Sequence, residues 1–453
     1  SIRRQRQMCI RDSYTSVWFS AIYLLLLISL IGCIVPRIVS HAKALRRQPP
    51  RVPARLDRLA AHASMITSAS AAEVSQRAQQ WLTSHRYRFV VDDDGSLRAE
   101  AGRHRETGNL VFHIFLVFVL VGVGWNTLWG FKGTSVVVEG QGFSNSITQY
   151  DEFKAGAMVD TDNLTPFSMK LRKFVVSFET GTVQRGAARS FDATVDLTMG
   201  GKTQTRDLQV NHPLRIGSTK VHLLGHGYAA DVVVRDGDGK VAYSGPVVFL
   251  PQDANFKSVG VIKVPDARPD RLAFQGFFLP TGAITAGGPT SLFPDALNPQ
   301  LYLTAWYGKP TVETGVPSNI YTLDTTGLTQ VTNGKDKARF VLSPGQRYKL
   351  PDGKGSIQFN GWQRWAKIQV SQNPGLPLTF LSVVLSVAGL CVSLFSRSRR
   401  VWVRTIPGDD GLRVEIGGLD RSDSRSGAVD DVNSLLAALH GDSMSGDVGE
   451  EHS

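Results

Sequence analysis

Cysteine is nearly missing from this chain: there are three in 453 residues, Cys9, Cys33 and Cys391. The long polar stretch between Cys33 and Cys391 therefore forms no internal disulfide and carries out no thiol exchange of its own. There is no C-x-x-C and no C-x-x-C-H, which excludes a thioredoxin-like reductant and a covalently attached c-type haem. Also missing are G-x-S-x-G, a P-loop and a G-x-G-x-x-G fingerprint, so hydrolase, nucleotide-hydrolysing and dinucleotide chemistry have no positive support. Acids and serines are plentiful but stand at no diagnostic spacing.

Basic residues outnumber acidic ones, 50 to 39, for a net charge of +11. Their placement excludes a nucleic-acid patch. Arg37, Lys43, Arg46, Arg47, Arg51, Arg55 and Arg58 follow one apolar run; Arg397, Arg399, Arg400 and Arg404 follow another. There are three such runs, at 17–35, 110–129 and 378–395, each long enough to cross a bilayer. Basic loops mark the cytoplasmic side, so 37–108 and the segment after 395 are predicted inside the cell and 131–377 outside.

That topology conflicts with Arg3, Arg4, Arg6 and Arg11, which put charge on the wrong side of the first run. Two resolutions are expected: a further membrane helix upstream, or a non-native leader over residues 1–13. The first run is too long for a cleavable signal and ends in Pro36-Arg37.

The predicted domains follow from these boundaries: membrane helices at 14–36, 109–130 and 378–395, an exported β-rich body at 131–377, and a disordered tail at 441–453. In the loop at 37–108, Val74, Ala78, Trp81 and Leu82 share one helical face, and 87–91 with 96–100 read as a hairpin. In 396–440 the order reverses: a hairpin over 401–406 and 412–416, then a helix over 429–439. The two pieces are predicted to join as one small α+β domain.

The exported segment has strands at 172–179, 191–199, 220–235, 240–250, 301–307, 319–323, 339–343 and 356–370, rich in β-branched and aromatic residues between turn signals. This density favours a sandwich-like fold. Residues 274–299 carry enough Gly and Pro to read as an irregular aromatic loop, serving as a contact surface or a lid. Trp125, Asn126 and Trp129 stand where the second span ends, as an interfacial anchor.

Four of the ten histidines stand in a context worth weighing. His222 and His226 form H-x-x-x-H, which could hold zinc on a helix; on a strand the rings stand about 13 Å apart, too far for one ion. Gly225 and Gly227 argue for the strand. His212, before Pro213, reads as a turn or strand-end residue. His113 is different, because it lies inside the second apolar run, about 6 Å from its start at Asn109. An imidazole facing lipid is costly, so it packs against a neighbouring helix or ligates a metal or haem iron. The residue alone leaves both open.

Beyond these single residues, YTSVWFSAIYLLLLISLIGCIVPR, GNLVFHIFLVFVLVGVG, VNHPLRIGSTKVHLLGHGY, FQGFFLPT…SLFPDALNPQLYLTAWYG and GSIQFNGWQRWAKIQVSQNPG occur in that order. With SRRVWVR after the last span, this series resembles the ResB family of System II cytochrome c biogenesis proteins from Tyr14 to about Leu439. The resemblance implies an integral membrane protein of the bacterial plasma membrane, with α-helical spans, a large extracytoplasmic β-rich domain and small cytoplasmic α+β elements. It implies a ResC/CcsA-type membrane partner, apocytochrome c as client, a thioredoxin-like thiol reductant nearby, and haem b as a transient ligand. It puts the family's membrane histidine, a haem iron ligand, at His113, and a further helix before the first span. The family's tryptophan-rich haem-handling motif belongs to the partner and has no equivalent here, so the chain reads as a subunit rather than a stand-alone enzyme. A receptor whose exported domain senses a ligand and signals through the small inner domain is the alternative.

Overall fold

The computed structural model describes residues 16–310, 321–409, 411–420 and 426–440. The leader read at 1–13, Cys9 and the tail at 441–453 lie outside those residues. The chain divides into two compact units, one of Ser1–Gly124 with Gly375–Ser453 and one of Trp125–Pro374.

Three helices are long and apolar enough to cross a membrane: α1 Val17–Arg46, α3 His104–Trp129 and α4 Leu376–Phe395, of which α1, α4 and all but the last turn of α3 belong to the first unit. α1 starts where the Ser16 hydroxyl accepts from the Phe19 amide at 3.2 Å, satisfying one free N–H of its first turn. It runs through Pro36 rather than ending there. A proline removes one helical hydrogen bond, but the residues beyond it, Arg37–Arg46, are mostly good helix formers.

The rest of the first unit is a five-stranded antiparallel sheet in the order Ala61–Thr67, Gly411–Asp420, Arg399–Gly408, Leu97–Ala101, Arg88–Val91. The two distant segments thus do join as one α+β fold, and they contribute an edge strand, Ala61–Thr67, whose sequence AHASMIT has few strong strand formers. Two further helices, α2 Ala71–Ser84 and α5 Ser426–His440, cover the sheet. α2 opens with a capping box, Ser70 with Glu73. Its Val74, Ala78 and Leu82 share a core with Val401, Val403, Val414, Ile416, Val432 and Leu435. Tyr87 donates to Asp431 at 2.6 Å, and Arg399 reaches both oxygens of that carboxylate at 2.9 and 2.8 Å. Burial, together with that bond to Asp431, holds the Tyr87 phenol well above its ordinary pKa.

The second unit is β-rich, and its halves differ. Two 17-residue strands, Thr219–Arg235 and Ser356–Gln372, pair along their length and serve both. At one end, with Phe131–Val138 beside them, they face a four-stranded sheet containing Ser168–Phe178, Ala188–Met199 and Lys202–Gln209. Leu171, Phe174, Val195, Val221, Ile368 and Val370 meet between the two sheets, which is the sandwich-like part.

At the other end the large sheet continues through Val241–Pro251, Ser258–Val264, Arg271–Leu279 and Gln300–Gly308. Arg339–Leu342 pairs with Gln300–Gly308 and Arg347–Lys349 with Ser356–Gln372, so the path curls back on itself around Tyr228, Phe249, Phe274, Phe278 and Phe359. That half is a ring rather than a sandwich, which expected strand density could not distinguish.

Two expectations are corrected here. Of the strand expected at 319–323, the described part, 321–323, is turn and irregular backbone. The segment at 274–299 is not irregular throughout: 274–279 complete a core strand, and Gly282–Thr285 pairs with Gly288–Ser291 as a hairpin. Glycine there permits close approach rather than breaking the strand, because a Cβ on Gly276 would sit 1.9 Å from the Tyr302 carbonyl oxygen.

Candidate functional site

Helix α3 meets α4 where both lack side chains. A Cβ on Gly108 would fall 2.6 Å from the Gly389 carbonyl oxygen, and one on Gly389 would fall 2.8 Å from the Phe112 nitrogen. This is the small-residue contact that lets helices approach in an apolar medium. The Ser386 hydroxyl adds a bond to the Phe112 carbonyl at 3.3 Å.

A different face of α3 meets α1. Tyr23 donates to the Leu120 carbonyl. His41 Nε2 lies 3.0 Å from Thr107 Oγ1, and its Nδ1 lies 3.7 Å from Glu106 Oε2. Glu106, His113 and Leu120 stand at seven-residue intervals, and this spacing puts them on one stripe of the helix. The first and last of the three meet α1, so His113 lies on the stripe that α1 lines. The facing stripe of α1 is its least exposed: Tyr23, Leu27, Leu30, Ile34 and His41.

His113 Nδ1 lies 2.7 Å from the Asn109 carbonyl oxygen, one turn back. A carbonyl only accepts, so Nδ1 carries a proton, and in the neutral ring Nε2 keeps the lone pair. The ring is half-buried, edge-on to Phe112 at 4.9 Å between centroids. A neutral imidazole with Nδ1 held by a carbonyl and Nε2 open is the donor set that binds haem iron. The residues present therefore fit that group.

Below His113, at the Asn109 end of α3, a cavity of about 550 Å³ is lined by Arg37, His41, Arg105, Glu106, Asn109 and Ser398, among others. A second, of about 390 Å³, shares His41, Glu106 and Ser398 and adds Arg47, Arg103 and Arg400. Both volumes fall in the range of small-molecule sites, about 300–1,000 Å³. Sequence reasoning missed His41. A span predicted to end at 36 leaves it in a loop, whereas α1 continues past it and places it seven residues beyond Ile34 on the stripe that faces α3.

The other histidines do not join this group. His222 and His226 lie on the strand Thr219–Arg235, whose register shifts between Leu223 and Gly225. The extra residue, Leu224, reverses the alternation: buried positions are odd-numbered up to 223 and include the even-numbered 226, 228, 230, 232 and 234 beyond it. The pair is thus turned to opposite faces. His226 is 9% exposed, stacked on Phe256 at 4.6 Å, with Phe191, Phe174 and Phe178 within 6.2 Å. Burial, and then the charge of Arg364, push its pKa down to about 4. Burial lowers that of His222 as well, helped by Lys220 and Lys132. His212 is exposed, its Nδ1 3.3 Å from the Val210 carbonyl. Among the described residues, no three of His, Cys, Asp and Glu gather as a metal site. Trp125 and Trp129 are both exposed, their rings 6.3 Å apart at the end of α3.

Comparison with known proteins adds one decisive match: the family model described as the ResB-like family covers residues 5–429. The chain belongs to the ResB-like family. Relatives of this ResB-like chain include the cytochrome c biogenesis protein CcsB of Synechococcus sp. (strain JA-3-3Ab), 23% identical over 86% of this chain and 70% of that protein. The protein of the same name from Synechococcus sp. (strain WH7803) is 24% identical over 90% of this chain and 78% of its own length. The family match thus spans α1, the β-rich unit and α4 together.

Proposed function

We propose that this ResB-like chain is a subunit of System II cytochrome c biogenesis, handling haem on its way to apocytochrome c. In this reading α1, α3 and α4 cross the bacterial plasma membrane. The basic residues beyond α1 and α4 hold the small α+β fold on the cytoplasmic side, and the β-rich unit is extracytoplasmic. A ResC/CcsA-type protein packs on the exposed faces of the helices and supplies the second axial ligand and the tryptophan-rich surface where attachment occurs. The thioether bonds form between haem and apocytochrome thiols; a thioredoxin-like reductant keeps those thiols reduced. This chain contributes no nucleophile.

The observation that carries the reading is the 2.7 Å contact from His113 Nδ1 to the Asn109 carbonyl oxygen. It fixes the tautomer that leaves Nε2 to hold iron, and it makes the ring a better donor. Asn109 and Phe112 set the ring's direction. The test is an absorption spectrum of the chain purified with its ResC/CcsA-type partner. Haem bound in near-stoichiometric amount, with the Soret band of histidine-ligated iron, is expected. A complex that is intact and free of haem would overturn the reading.

A further inference from the structure

Between the end of α1, the start of α3 and the end of α4, two adjoining cavities are rimmed by five arginines, Arg37, Arg47, Arg103, Arg105 and Arg400, against two glutamates, Glu100 and Glu106. The glutamates already have partners. Glu106 faces His41 at 3.7 Å, and Glu100 pairs with Arg103 at 3.3 Å. Arg37, Arg105, Arg47 and Arg400 have no carboxylate partner among the described residues. A concave surface with this uncompensated charge is built for anionic oxygens, which the planar guanidinium fork binds two at a time.

Asn109 links the cavity to the ring above it. It lines the larger cavity, while its carbonyl accepts from His113, so the ring stands one helical turn, about 6 Å, above the cavity's Asn109 and two turns, about 12 Å, above its Arg105. A ligand filling both places must be apolar and metal-bearing at one end and carry carboxylates at the other. Resting on the haem reading above, we infer that Arg37 and Arg105 take the two propionate carboxylates of haem. The ligand is then oriented with its charged edge towards the basic rim and its iron at His113. Lipid phosphates would satisfy the arginines alone, but nothing about a headgroup requires the connection to His113, so the porphyrin carboxylates are the better fit.

The test compares haem with haem dimethyl ester, whose carboxylates are blocked, by absorption titration of the full chain in phosphatidylcholine nanodiscs. The wild-type chain should bind haem about tenfold or more tightly than the ester, equivalent to about 1.4 kcal/mol. The double variant Arg37→Gln/Arg105→Gln should lose that preference, while its affinity for the ester and the position of the ligand band stay unchanged. Arg37→Lys/Arg105→Lys, which keeps charge but loses the fork, should fall between. Equal wild-type affinity for haem and ester would overturn the assignment, as would a preference that survives the double Gln variant. A preference abolished by adding phosphatidylglycerol would also overturn it, by giving the site to lipid headgroups. Failure of the underlying haem reading looks different: neither ligand then gives a histidine-ligated band.

Discussion

Lowering the pH should destabilise the β-rich unit through His226. The ring is 9% exposed, surrounded by phenylalanines, and its Nδ1 has no hydrogen-bond partner among the described residues. Its pKa falls from 6.5 to about 4 on folding. The unfolded chain therefore binds the proton more readily, and the stability tied to the neutral ring is fully present above pH 6.5 and lost as pH falls towards 4. From these two values the loss between pH 7 and pH 5 is about 2 kcal/mol, approaching about 3 kcal/mol below pH 4. Arg364 adds to the effect; it lies nearby, paired with Asp295 at 2.7 Å. His226→Phe removes the titration and matches the aromatic surroundings. Urea midpoints of the full chain in detergent, read by near-ultraviolet circular dichroism at pH 7 and 5, measure the difference. The wild type should lose about 2 kcal/mol more than His226→Phe across that interval. Equal pH dependence in the two proteins, within about 0.5 kcal/mol, would refute the argument that this imidazole is buried neutral.

Gly389→Leu should separate α3 from α4, because its side chain would meet the backbone of Phe112 and Gly108; overpacking of this kind costs about 1–3 kcal/mol, and accelerated proteolysis of the full chain in detergent would report it. Asp431→Ala leaves Arg399 and Tyr87 without their shared partner and should destabilise the α+β fold by about 2 kcal/mol, read as a lower thermal midpoint. Cys33 and Cys391 lie exposed on α1 and α4, and replacing both with Ala should leave cytochrome c maturation close to wild type. Loss of maturation at normal protein levels would give this chain a redox role after all.

The spans and the two long central strands could be read from the residues, because apolar length and β-branched density are local properties. The strands at Phe131–Val138, Ser258–Val264 and Arg271–Leu279 are not legible in the residues, because glycines such as Gly276 look like breakers until a neighbouring strand shows what they make room for. The burial of His226 depends on the extra residue at Leu224, which shifts the alternation without any mark of its own in the sequence. At the candidate site, His113 stood out because a titratable ring in an apolar run is rare. His41 and the arginine rim did not, since they acquire meaning only when α1 and α3, far apart in the chain, lie side by side.

The most direct test of the haem-ligand role is the spectrum of His113→Ala. The variant should insert and pair with the proposed ResC/CcsA-type partner as the wild type does, because α3 packs on α4 through Gly108 and not through the imidazole. It should co-purify with much less haem, lose the band of histidine-ligated iron and assemble little cytochrome c. Added imidazole, occupying the space of the missing ring, should partly restore both. Wild-type haem content and maturation in His113→Ala would contradict the account and leave His113 as a packing residue.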